Sequence, residues 1–134
     1  MINAAIIARA GAVNVVDTGE GRNLVDVTPG EVAAWAPDVI LTLSPQFAAD
    51  APASPAWREL PAVAGGRLLL APGSPFGSID SPPSVNRLLG LRWLMHRLYP
   101  DAARGDLRAE VQDFYRLFYG IELDDAALTR LVGG

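Results

Sequence analysis

Val39-Ile40-Leu41-Thr42-Leu43 is an unbroken run of apolar and β-branched residues, framed by Pro37-Asp38 before it and Ser44-Pro45 after it. A short continuous run of this kind, without alternation, marks a strand covered on both faces, as in parallel sheets. Leu68-Leu69-Leu70-Ala71 repeats the pattern after a Gly65-Gly66 turn. The stretch between the two runs is long enough for the crossover that parallel pairing requires.

The flanking sequence supplies helices. Thr28-Pro29-Gly30-Glu31 has an N-cap Thr, Pro at the first helical position and Glu at the third, a capping box. The helix it opens should end near Trp35-Ala36, because Pro37 disfavours α geometry in the residue before it. Ile2–Ala10 reads as a short helix stopped by Gly11. Val13, Val15 and Val16, and then Leu24, Val25 and Val27, read as brief extended pieces on either side of the loop at Thr18–Arg22. Ser44-Pro45-Gln46-Phe47 reads as a turn, and Ser54-Pro55 as the cap of a short helix through Glu59.

From Pro72 to Pro83 runs a Pro-, Gly- and Ser-rich loop, too long for a simple connector and of the kind that usually carries function. A long helix is predicted over Pro82–Tyr99 with Ser81 as N-cap, its apolar stripe made by Val85, Leu88, Leu89, Leu91, Leu94, Met95 and Leu98. Asp106 caps a further helix to Tyr119, closed by Gly120, and Asp125 caps a last one through Val132. The expected fold is α/β: a three-layer, Rossmann-like lobe with a short parallel sheet and a helical C-terminal tail, one domain over residues 1–134.

Composition narrows the function. Half the residues are hydrophobic and 19% are charged, the balance of a globular chain. The net charge of −4 argues against a nucleic-acid footprint, and the basic residues, all Arg, are scattered from Arg9 to Arg130. Without Cys there is no disulfide, zinc-thiolate site or thiol chemistry, and with His96 as the single histidine no multi-His metal site. The apolar N-terminus lacks a basic n-region and is interrupted by Arg9, so the chain reads as soluble and without its own export signal.

Catalytic fingerprints fail as well. Gly19-Glu20-Gly21 lacks a third glycine, no Gly-Lys-Ser/Thr exists, and there is no Gly-x-Ser-x-Gly elbow. His96 falls beside an apolar helical stripe, and Asp124-Asp125 reads as a helix N-cap rather than an acid pair. The residues therefore point to a binding domain, not an enzyme, with no cofactor and no resident metal. In open α/β sheets ligands sit beyond the carboxyl ends of strands. Those ends are the Thr42–Phe47 turn and the Pro72–Pro83 loop, giving Ser44, Ser74, Phe76, Asp80, Asn86 and Arg87 as candidate ligand contacts. Asn86 and Arg87 can present donors to an anion or a metal chelate, or can simply cover the helix start.

Taken in order, Ala10–Val15, Val27–Val32, Ala36–Leu41, Trp57–Leu68, Pro75–Leu88 and Phe114–Gly120 resemble a known family. They are similar to the C-terminal lobe of periplasmic substrate-binding proteins of the iron–siderophore and cobalamin importer type. Pro75–Leu88 resembles an iron-complex or metal-related subgroup. The resemblance implies one lobe of a two-lobe receptor, the N-terminal lobe, linking helix and first strand having no counterpart here. It implies capture of an iron–siderophore-like metal chelate, a corrinoid or an oxyanion such as molybdate, and delivery to the membrane permease of an ABC importer. The full-length parent would be periplasmic, or extracellular and membrane-anchored. Glu31 matches the family's permease-docking acid, which pairs with Arg on the permease; read from the residues alone it is the third position of the capping box. The competing readings are a stand-alone flavodoxin-like α/β enzyme or nucleotide-binding domain, and an interaction module. The isolated chain is further expected to self-associate as a dimer, through a sheet edge left without its neighbour or through Ile2–Ala10.

Overall fold

The computed structural model describes residues 4–16, 25–74, 77–79 and 84–133. In chain order its elements are α1 (Ala4–Arg9), α2 (Pro29–Trp35), β1 (Ile40–Thr42), α3 (Pro45–Asp50), a 3-10 turn at Ala51–Ala53, α4 (Pro61–Ala64), β2 (Leu68–Leu70), α5 (Asn86–Leu98), α6 (Leu107–Tyr119) and α7 (Asp125–Val132). They form two compact units, Val13–Ala71 and Ile2–Ala12 with Pro72–Gly134.

In the first unit Thr28 starts α2 as the sequence requires. Its hydroxyl accepts the Glu31 N–H at 3.3 Å, while the Glu31 carboxylate accepts the Thr28 N–H at 2.7 Å. Such a cap stabilises a helix end by about 1 kcal/mol. Ala36, in the left-handed region at φ 47°, closes α2 just before Pro37. β1 and β2 then pair in parallel, Ile40 opposite Leu68, Leu41 opposite Leu69 and Thr42 opposite Leu70. Val32, Leu60 and Val63 form the core of this unit, with Trp35, Ile40 and Trp57 packed on it.

The second unit is helical. Leu89, Val111, Phe114, Tyr115 and Val132 make a buried cluster that joins α5, α6 and α7. The Asp106 carboxylate accepts the Arg108 N–H at 2.9 Å to start α6, and Gly120 at φ 63° ends it. The Trp93 indole N–H, buried on α5, donates to the Val132 carbonyl at 3.3 Å and so ties α7 to α5.

The fold is mixed α/β with a short parallel sheet, as expected. Several local expectations are corrected. Val13, Val15, Val16, Val25 and Val27 form no strand, and the sheet has two strands among the described residues. β-branched residues favour a strand only where there is a partner face to cover them, and Val13 is 84% exposed. Ser44-Pro45-Gln46-Phe47 is not a turn but the capped first turn of α3, since Pro is well tolerated at that position. Ser54–Glu59 is a run of turns in which the Ser54 carbonyl accepts from both Trp57 and Arg58. The helix begins later, at Pro61. α5 starts at Asn86 rather than Pro82, where Ser84 accepts the Asn86 N–H on its hydroxyl and the Arg87 N–H on its carbonyl. The expected N-cap Ser81 lies outside the described residues. Asp124, not Asp125, caps α7, accepting the Ala127 N–H at 2.7 Å.

Gly90 on α5 is sterically required. A Cβ there would stand 1.9 Å from the Ser78 carbonyl oxygen and 2.6 Å from its carbon, both backbone atoms. In an open helix interior Gly→Ala gains up to about 1 kcal/mol from helix propensity. Here the sign reverses, and Gly90→Ala should destabilise by at least the roughly 1–3 kcal/mol of overpacking. Leu88→Ala, at a position 61% exposed, should stay within about 0.5 kcal/mol of wild type. Thermal melts of the two variants read this difference, and a stabilised Gly90→Ala would show that the backbone approach is not maintained.

Candidate functional site

The loop after β2 belongs to the second unit, and its residues are held at several points. Pro72 offers one carbonyl oxygen to two donors of Ser78, the backbone N–H at 3.1 Å and the hydroxyl at 2.6 Å. Next to it Ile79 is fully buried, and Ser78 nearly so. Ser74 is exposed, and its carbonyl accepts the Tyr115 hydroxyl of α6. At the far end Asn86 is 1% exposed and its Oδ1 accepts the Tyr119 hydroxyl at 2.6 Å. Ser74 and Asn86, both predicted as site residues, are thus brought under one helix.

Arg87 follows Asn86 in the first turn of α5 and is half-buried. Among the described residues no carboxylate pairs with it. A guanidinium at this place has five N–H donors and a planar fork suited to oxyanions. Phe76 and Asp80 lie outside the described residues. Ser44 belongs to the first unit, where it is exposed and caps α3, its hydroxyl oxygen accepting the Phe47 N–H at 3.1 Å. A serine oxygen that accepts one bond still has its own O–H to donate.

Glu31 is exposed at the start of α2, also in the first unit. Two donors of Thr28 converge on one of its oxygens, Oε2: the backbone N–H at 2.7 Å and the hydroxyl at 2.8 Å. These bonds, the backbone one first, hold the Glu31 carboxyl below the usual carboxylate range. It is therefore a fixed negative charge at neutral pH.

The two tyrosines and an ion-pair cluster were the part of the site region that sequence reasoning missed. Arg92 of α5 grips Glu110 of α6 through two bonds, Nε to Oε2 at 2.8 Å and a terminal N–H to Oε1 at 2.7 Å, and donates to the Arg104 carbonyl. Their wide separation in sequence gave no periodic signal. His96 stands on the same side, its Nε2 4.0 Å from Glu110 Oε1, shielded from solvent and without a hydrogen-bond partner among the described residues. No group of three or more metal-ligating side chains occurs among the described residues.

The Arg92 hydrogen bonds, working against partial burial, hold the Glu110 carboxyl below its ordinary value. A depressed acid contributes stability that is complete above the ordinary carboxyl range and is lost as pH falls through the native value. Glu110→Gln should therefore be less stable than wild type at neutral pH, and the gap should narrow at an acid pH below the ordinary carboxyl range. Urea denaturation at the two pH values measures the gap, and a gap independent of pH would assign it to packing instead.

No protein-family model matches the chain, and no curated protein matches it. Solved structures do. An ABC transporter solute-binding protein from Sulfurospirillum deleyianum DSM 6946 superposes with a TM-score of 0.87 at 31% identity, over 96% of this chain and 40% of that one. The molybdate periplasmic binding protein MolA of a Haemophilus influenzae ABC transporter, solved with molybdate, gives 0.70 at 27% identity over 90% of this chain and 37% of its own. A periplasmic solute-binding protein from Veillonella parvula DSM 2008 gives 0.78 at 24% identity, covering 97% and 41%, which speaks for the fold. These are solute-binding proteins rather than enzymes, and the chain spans well under half the length of each. The chain has the fold of one lobe of a periplasmic solute-binding protein.

Proposed function

We propose that this chain is the C-terminal lobe of the solute-binding component of an ABC importer, working in the periplasm and handing its cargo to a membrane permease. The observation that carries the reading is Arg87: a half-buried guanidinium, unpaired among the described residues, in the first turn of α5. The likeness to solute-binding proteins supports it, and the molybdate-bound relative supports an oxyanion as cargo. A tetrahedral oxyanion suits one guanidinium supplemented by hydroxyl and backbone donors such as those of the Ser74 region. Ser44, Phe76 and Asp80 enter the proposal as further contacts, and Asn86 as the anchor of the loop. An iron–siderophore chelate or a corrinoid is the competing cargo, and a titration with each separates them.

Replacing Arg87 by Ala in the full-length protein should weaken molybdate by about 1–3 kcal/mol, the range for a charge-assisted hydrogen bond. Isothermal calorimetry reads it directly, and an unchanged affinity would return Arg87 to covering the helix start.

Glu31 enters the proposal as the permease-docking charge. An exposed ion pair at an interface sets orientation more than affinity. Glu31→Gln keeps an acceptor for Thr28 and removes the charge, so solute affinity and helix stability should hold while transport slows. Uptake by vesicles carrying the reconstituted permease is the measurement; normal uptake would leave Glu31 as a helix cap only.

A further inference from the structure

α6 carries two tyrosines one turn apart, whose hydroxyls reach the loop after β2 and the first residue of α5, where that loop ends. Tyr115 donates to the Ser74 carbonyl and Tyr119 donates to Asn86 Oδ1 at 2.6 Å. Their rings lie 5.5 Å apart, the separation that positions i and i+4 impose on one helix face. Tyr115 is buried in the core with Phe114 and Val111, and Tyr119 packs against that cluster. Packing alone would be met by phenylalanine, as it is at Phe114. A phenol in such a place needs a hydrogen-bond partner; here Tyr115 finds it in the Ser74 carbonyl of the loop and Tyr119 in Asn86, the first residue of α5, where that loop ends.

The remainder of the loop is held in the same spirit. Ser78 is bonded twice to Pro72, and its backbone fills the notch left by Gly90. These contacts fix Ser78 and Ile79, while the tyrosines bond to Ser74 and Asn86. Burial pushes the Tyr115 phenol up, with Tyr119 adding to the effect, so this donor keeps its proton throughout the neutral range.

We propose that Tyr115 and Tyr119 are positioning residues: their two hydroxyls, spaced by one turn of α6, hold Ser74 and Asn86 at opposite ends of the loop and so set the place of Arg87 and the face offered to an oxyanion. The proposal rests on the reading that this loop contacts the solute. The hydroxyls touch no solute themselves. They act by limiting the conformations from which Arg87 and the Ser74 region must be ordered on binding, a cost that preorganisation removes.

Tyr115→Phe and Tyr119→Phe keep the rings in the core and remove only the hydroxyls. In hydrogen–deuterium exchange of the full-length protein, each should speed exchange of the amides at 77–79 and 84–87 by roughly fivefold to tenfold, the equivalent of one hydrogen bond. Exchange in α7 should not change. Unaltered loop exchange, or a uniform rise through α5, α6 and α7, would overturn the proposal, because the hydroxyls would then hold nothing or merely add global stability. Molybdate is titrated into the same proteins. A loss of affinity of similar size, larger in the double variant, is the expected result; a loosened loop with wild-type affinity would overturn the positioning role. Wild-type protein that takes up no molybdate would refute the oxyanion reading alone, while the exchange data still decide whether the two hydroxyls hold the loop.

Discussion

The close approach of the Ser78 backbone to α5 is the constraint on which the second unit depends. The space that a side chain at position 90 would need is filled by a carbonyl oxygen, so glycine there fixes how near loop and helix can come. With that distance set, Ile79 is enclosed completely. Full enclosure of an isoleucine is worth about 1.5–3 kcal/mol, which offsets the loss of helix propensity at a mid-helix glycine. The same contact keeps Ser78 where both its donors meet Pro72. Residues 77–79 are thereby held against α5.

The helices behind this contact act as a frame because α5 is tied to both α6 and α7. Arg92 and Glu110 join α5 to α6 through two charge-assisted bonds, Trp93 joins α5 to α7, and the Leu89, Val111, Phe114 cluster fills the space between. Charged pairs this exposed contribute little by themselves. Their value lies in register: a bidentate grip admits one rotation of α6 against α5. That rotation is what aims Tyr115 and Tyr119 at the loop rather than at water.

The elements legible in the sequence were those whose signal is local. Thr28 with Pro29 and Glu31 announces a helix start, Asp106 and Gly120 bracket another, and the Leu68–Leu70 run announces a strand, because caps and continuous apolar runs act through neighbours in the chain. The valines at 13, 15, 16, 25 and 27 mislead for the opposite reason: strand formation is decided by a partner that can be distant in sequence, and no described strand pairs with them. The start of α5 lies later than the sequence suggests, where Ser84 accepts the first N–H groups of the helix on its hydroxyl and its carbonyl. At the candidate site the loop and Arg87 could be found from the rule for carboxyl ends of strands. The role of Gly90 and of the two tyrosines could not, since Gly90 lies within a helical stripe and Tyr115 is far in sequence from Ser74.

Glu31 shows how a residue can serve its own helix and remain available to a partner. Both Thr28 donors converge on Oε2. The other oxygen, Oε1, enters neither bond, and a carboxylate has about four lone-pair directions to offer. A guanidinium arriving from outside can therefore bind Oε1 without breaking the cap. The cap in turn favours the ionised form and restricts the side chain to one rotamer, so part of the ordering that an exposed ion pair must accomplish is complete beforehand. The intrachain bonds that serve as a local cap are also the ones that hold the charge still at the tip of α2.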